Sequence, residues 1–195
     1  MNDQILWFAT RGAGVVSLLL FTAVTCLGIL TVMRWQSASW PRFLTAELHR
    51  NLALLSVIFL VIHIATAILD PFVELGWLST VIPFVADYRP LWVGLGAVSV
   101  DLLIAILVTS LLRARVGQRA WRAVHWLAYG AWPLAVVHGV GSGSDASAAW
   151  MLGVDAACLI AVGAALAWRV AAGRSNRSRL EGAVAGVGPA SRNPR

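Results

Sequence analysis

Polar residues punctuate this chain instead of alternating with apolar ones, and they leave five long apolar stretches at about 12 to 33, 47 to 69, 91 to 112, 122 to 141 and 148 to 171. Each is near the roughly 20 residues that a helix needs to cross a hydrocarbon layer about 30 Å thick. The pattern predicts an all-α, polytopic membrane helix bundle of about five transmembrane helices. A shorter semi-apolar segment in the connection between helices two and three, Leu75 to Val85, is interrupted by Pro83 and is expected to lie along the membrane interface, where it would cap that end of the bundle. The domain plan is a membrane domain over 1–172 and a tail over 173–195 that is rich in Gly, Ala, Ser, Arg and Pro, expected to be a disordered cytoplasmic tail.

Composition agrees: 59% of residues are hydrophobic, 12% are charged and the mean hydropathy is +0.77, which excludes an ordinary soluble domain. The first apolar stretch is too long for a secretory signal, and Arg34 interrupts the sequence before the small residues Ser37, Ala38 and Ser39. The two cysteines, Cys26 and Cys158, fall inside apolar stretches and read as packing residues.

Charge orients the bundle. There is no lysine, and thirteen of the fifteen basic residues lie between or at the facing ends of spans one and two, between or at the facing ends of spans three and four, or at the end of span five and in the tail; only Arg11 and Arg89 fall on the other side. The positive-inside rule then places the N-terminus outside and the C-terminus in the cytoplasm of a bacterial inner membrane. The pI near 10.9 reflects this topogenic charge, with no role for nucleic acid.

All four histidines lie in two of the apolar stretches: His49 and His63, fourteen apart, and His125 and His138, thirteen apart. Strongly polar groups inside spans are costly, so four of them with none in any loop suggest function. Imidazole ligates haem iron from both faces, and each spacing rises roughly 20 Å along a helix. With spans two and four both running outward, His49 pairs with His125 around an inner haem and His63 with His138 around an outer one. Both would be noncovalent b-type haems, because no Cys-x-x-Cys-His sequence is present to attach them. Fourteen residues return the second histidine to within about 40° of the first, whereas thirteen leave it about 140° away, so either the second helix is locally overwound or kinked, with Pro133 a natural place, or the two haems sit at different azimuths around it. Histidines serving only as interhelical glue in a non-redox anchor are the competing reading.

Glu47-Leu48-His49-Arg50, the stretch from Pro83 to Trp92, Thr109 to Arg113 and Trp121 to Tyr129, with the two histidine spacings, resemble the ferric reductase-like transmembrane domain. That family is shared by ferric reductases, NADPH oxidases and the haem-binding membrane subunit of bacterial methionine sulfoxide reductase systems. The resemblance covers about residues 12 to 171 and is greatest to short bacterial stand-alone members. It implies transmembrane electron transfer through two bis-histidine haems to an extracytoplasmic acceptor, either ferric iron or a partner oxidoreductase. The larger relatives continue into a flavin and nicotinamide domain, whereas here about 25 residues follow span five and no Gly-rich dinucleotide fingerprint occurs. A separate cytoplasmic flavin reductase or membrane quinol is therefore the expected donor, and flavin would bind only through a partner or at the cytoplasmic face. Arg50 and Arg122, beside the inner pair, are candidates for haem propionates or a flavin phosphate, with ordinary topogenic charge as the alternative. Asp101 and Asp155 lie within apolar sequence, where each is either a proton-handling group or a hydrogen-bonding partner of a neighbouring helix.

Overall fold

The computed structural model describes residues 2–33, 40–71, 73 and 75–186. They form helices α1 (Asn2–Val32), α2 (Arg42–Leu69), α3 (Pro90–Leu111), α4 (Arg113–Val116), α5 (Gln118–His125), α6 (Ala128–Ser142) and α7 (Ala149–Gly186), with one 3-10 turn at Trp77–Thr80 and no strand among the described residues. This is an all-α membrane helix bundle. Arg34, Glu74 and residues 187–195 lie outside the described part.

Four helices, α1, α2, α3 and α7, are long and apolar enough to cross a membrane. The fourth apolar stretch of the sequence is helical but is not one continuous helix. It divides at Trp126–Leu127 into α5 and α6, and the 15 residues of α6 alone reach only about 22 Å. The break has the dihedral angles of a 3-10 turn, with φ −63° and ψ −22° at Trp126 and φ −61° and ψ −18° at Leu127. Backbone bonds there close three residues back: Leu127 N to Val124 O (2.9 Å), Tyr129 N to Trp126 O (3.1 Å) and Gly130 N to Leu127 O (2.9 Å). Each such residue turns the chain about 20° further than an α-helical one, so the segment between His125 and His138 is overwound in the sense that a thirteen-residue spacing requires. Pro133 is not the site of the distortion; α6 passes through it.

The last helix also exceeds its apolar stretch. α7 continues through Gly186, so the residues from 173 to 186 are helical. Ala, Arg and Leu supply strong helix formers there, and the first proline beyond is Pro189.

Two antiparallel hairpins, α1 with α2 and α3 with α6, make the bundle, and α1 also packs on α6 and α7. The core lies midway along them: Leu18 and Phe21 from α1, Ala131, Trp132 and Val136 from α6, and Cys158 and Val162 from α7, with Cys26, Leu102 and Leu103 packed against it. Three polar side chains in this layer are satisfied locally. Trp132 Nε1 donates to Thr22 Oγ1 (3.0 Å), whose own hydroxyl donates to Leu18 O (2.8 Å), and Ser99 Oγ donates to Ala131 O (2.9 Å). Outward-facing Leu54, Ile58, Val61 and Ile160 are exposed, as helices facing lipid require.

The segment between α2 and α3 folds back over one end of the bundle. Phe84 takes a left-handed φ of 68° and lays its ring on Gly94, where a Cβ would meet the ring at 2.2 Å. Arg89 donates to Gly141 O (2.6 Å), which pins the start of α3 to the end of α6.

Trp132→Ala should cost about 3–5 kcal/mol, from the cavity it opens in the core. The apparent Tm of the detergent-solubilised protein should fall clearly, whereas Ile58→Ala, at a position 56% exposed, should leave it nearly unchanged.

Candidate functional site

Three of the four histidine rings are held in one way. His63 Nδ1 lies 2.8 Å from Thr10 O, His49 Nδ1 lies 3.0 Å from Val24 O, and His138 Nδ1 lies 2.9 Å from Trp92 O. A carbonyl can only accept, so in each case Nδ1 carries the proton and the free lone pair is left on Nε2. That tautomer is the one a metal ligand needs, and the carbonyl fixes the ring as well as its protonation.

A glycine lies four residues beyond each accepting carbonyl. Gly14, Gly28 and Gly96 follow Thr10, Val24 and Trp92 by one turn, and each forms the floor on which the imidazole rests. A Cβ would approach the His138 ring at 2.5 Å from Gly96, the His63 ring at 2.9 Å from Gly14 and the His49 ring at 3.4 Å from Gly28. At Gly96 and Gly14 only a residue without a side chain lets the ring come this close, whereas at Gly28 a Cβ would just touch it. The fourteen residues between Gly14 and Gly28 repeat the spacing of His49 and His63 on the antiparallel helix beside them. That match was available in the sequence but carries meaning only once α1 and α2 are known to pack together.

The rings then meet in pairs. His49 faces His125 with centroids 6.2 Å apart and planes inclined at 60°; His63 faces His138 at 6.3 Å and 80°. The combination requires α2 to run parallel to α5 and α6. It also separates two sites along the bundle by about 21 Å, the rise of fourteen helical residues, with the Trp132 core between them. Two imidazoles that shared one ion through bonds of about 2 Å would have ring centres within about 6.3 Å of each other, as these pairs do. The donor set and spacing therefore fit a bis-histidine haem at each site. Among the described residues no group of three or more His, Cys, Asp or Glu side chains converges.

His125 is the exception in the set. Its Nδ1 is buried without a partner, and its ring stacks on Trp121 at 4.9 Å and 29°.

A cavity of about 300 Å³ adjoins the His63–His138 pair. Its wall includes Gly14, Gly96, Ser79 and Tyr88, so the segment between α2 and α3 forms part of it, and Arg11 reaches it from α1. Arg11 pairs with Asp145 and Ser144 in the loop before α7 and lies 4.3 Å from the Trp7 ring centre. Sequence reading passed over Arg11 as the minority charge of its side, and its ion pair with Asp145 spans 134 residues of chain.

The arginines near the other pair are less committed. Arg50 is exposed and touches Glu47 at 3.4 Å; Arg122 is exposed as well. Asp101 is half-buried in α3, and Asp155 is buried in α7 with neither carboxylate oxygen hydrogen-bonded.

The family model of the ferric reductase-like transmembrane component matches residues 13–136. The chain belongs to that family. The match takes in the glycine floors and His49, His63 and His125, and ends two residues before His138. No curated protein and no solved structure matches the chain. As a ferric reductase-like domain, it keeps its four histidines within a multi-pass membrane bundle.

The three floors give a graded test. Gly96→Ala should perturb most, Gly14→Ala less and Gly28→Ala least, following Cβ approaches of 2.5, 2.9 and 3.4 Å. Thermal unfolding in detergent should rank them in that order, with the first losing about 1–3 kcal/mol from overpacking.

Proposed function

We propose that this ferric reductase-like domain carries electrons across the membrane through two bis-histidine b-type haems, from a cytoplasmic flavin reductase or quinol to an extracytoplasmic acceptor, ferric iron or a partner oxidoreductase. The observation that carries the reading is the meeting of His49 with His125 and of His63 with His138 at 6.2 and 6.3 Å. A haem bound at each pair would supply a one-electron carrier, and the chain's own residues do the rest. Val24, Thr10 and Trp92 carbonyls orient three of the imidazoles, and the apolar layer around Trp132 keeps water from the space between the sites.

Charge supports the direction. Arg42, Arg50, Arg113, Arg115, Arg119, Arg122, Arg169 and Arg174 belong to the end of the bundle that holds His49 and His125, while Arg11 and Arg89 belong to the other. On the positive-inside rule the first end is cytoplasmic, with the N-terminus outside and the C-terminus inside. Arg50 and Arg122 are then the groups on offer to inner-haem propionates or to the phosphate of a docked flavin. The cavity beside Arg11 lies at the extracytoplasmic end, under the segment between α2 and α3, where an acceptor would take the electron.

The purified full-length protein should give a b-type signal in a reduced-minus-oxidised difference spectrum, with about two haems per chain. A spectrum without that signal overturns the proposal in favour of histidines that only join helices. His63→Ala or His138→Ala should remove about half of the haem, and His49→Ala or His125→Ala the other half. Equal loss of both from every single substitution would refute separate sites.

A further inference from the structure

The bundle contains three copies of one ring-holding device and a fourth place where it is altered. On α1, Gly28 lies fourteen residues after Gly14; on α3, the position fourteen after Gly96 is Ser110. By that register Ser110 stands where a glycine floor for His125 would be, and the carbonyl one turn before it belongs to Ile106. The Ser110 hydroxyl instead accepts from Trp121 Nε1 at 3.2 Å, and Thr109 Oγ1 donates to Ile106 O at 3.2 Å. His125 Nδ1 is left buried and without a partner, and the face of the ring is covered by the Trp121 indole.

Trp121 is itself fixed from two sides. Besides its bond to Ser110, the guanidinium of Arg113 lies 4.2 Å from its ring centre, and Arg113 is held by Gln118 Oε1 at 2.8 and 3.1 Å. Both side chains sit on either side of Gly117, whose φ of 82° turns α4 back into α5. The cluster therefore ties the ring of His125 to the loop between α3 and α5, whereas the other three rings are tied to the backbone of a long helix.

Resting on the two-haem reading above, we propose that Trp121 is the positioning residue of His125, replacing by ring stacking the carbonyl bond that orients the other three ligands. An imidazole whose Nδ1–H has no acceptor is a weaker electron donor to iron and is free to turn about its own axis, so the stack alone sets its angle. The His49–His125 site is in consequence the one whose ligation and potential answer to the α4–α5 loop, and the His63–His138 site does not.

Full-length protein carrying Trp121→Ala or Trp121→Phe would be purified and its low-spin haem signals recorded by electron paramagnetic resonance, with His125→Ala identifying the signal of the His49–His125 site. Trp121→Ala should weaken that signal at least twofold or move its g values, and shift that site's midpoint potential, with the second signal unchanged. Trp121→Phe, which keeps the stack and loses the bond to Ser110, should restore the signal. An alanine variant in which the signal and potential are as in the unaltered protein, or in which both sites change equally, overturns the proposal while leaving the two-haem reading in place. A phenylalanine variant as deficient as the alanine one overturns stacking as the means. Unaltered protein with no haem signal overturns the reading on which the proposal rests.

Discussion

An imidazole placed among apolar helices has two nitrogens to satisfy and no water to satisfy them with. In this bundle the solution is the second lone pair of a helical carbonyl, reached across a glycine. Thr10, Val24 and Trp92 belong to continuous helices, and each carbonyl also accepts from a histidine Nδ1. The bond can form only where the neighbouring helix comes close, which is why Gly14, Gly28 and Gly96 lie one turn further on. That contact sets the separation of α1 from α2 and of α3 from α6, and with it the aim of the rings into the space between the hairpins. The same rule governs three of the hydroxyls: Thr22, Thr25 and Thr66 donate back to their own helices at 2.8 Å.

The two hairpins are similar in plan and unequal in execution. α2 is straight enough to carry two histidines on nearly one face, because fourteen residues almost complete four turns. α5 and α6 must reach the same pair of partners in thirteen, and the 3-10 turn at Trp126–Leu127 supplies part of the extra rotation. The shift in register has a cost at His125, whose ring is served by an indole where the other three have a carbonyl. The two ends of the bundle thus differ chemically: one pair has both Nδ1 atoms on backbone carbonyls, the other has one.

Much of this was legible in the sequence, for reasons that can be named. The spans follow from apolar runs, and the parallel course of the histidine-bearing helices follows from an even number of crossings between them. The family resemblance, drawn from local text such as Trp121 to Tyr129, agrees with the model match over residues 13–136. The break at Trp126–Leu127 was not legible. Neither residue is a helix breaker, and Pro133, which is one, sits in an intact helix. The glycine floors were hidden too, since a glycine in an apolar helix has many uses, and the Arg11–Asp145 pair joins residues too far apart in the chain for any local pattern to link.

By itself the sequence determined which segments are apolar helices, which end carries the basic charge and where along each helix a histidine falls. Those properties are local, fixed by side-chain hydropathy and by a rise of about 1.5 Å per residue. Only the tertiary structure decided which carbonyl each ring rests against, how a thirteen-residue spacing is brought into phase and which histidine goes without a backbone partner. Those depend on contacts between helices distant in the chain, where a few tenths of an ångström at a glycine decide whether a ring fits.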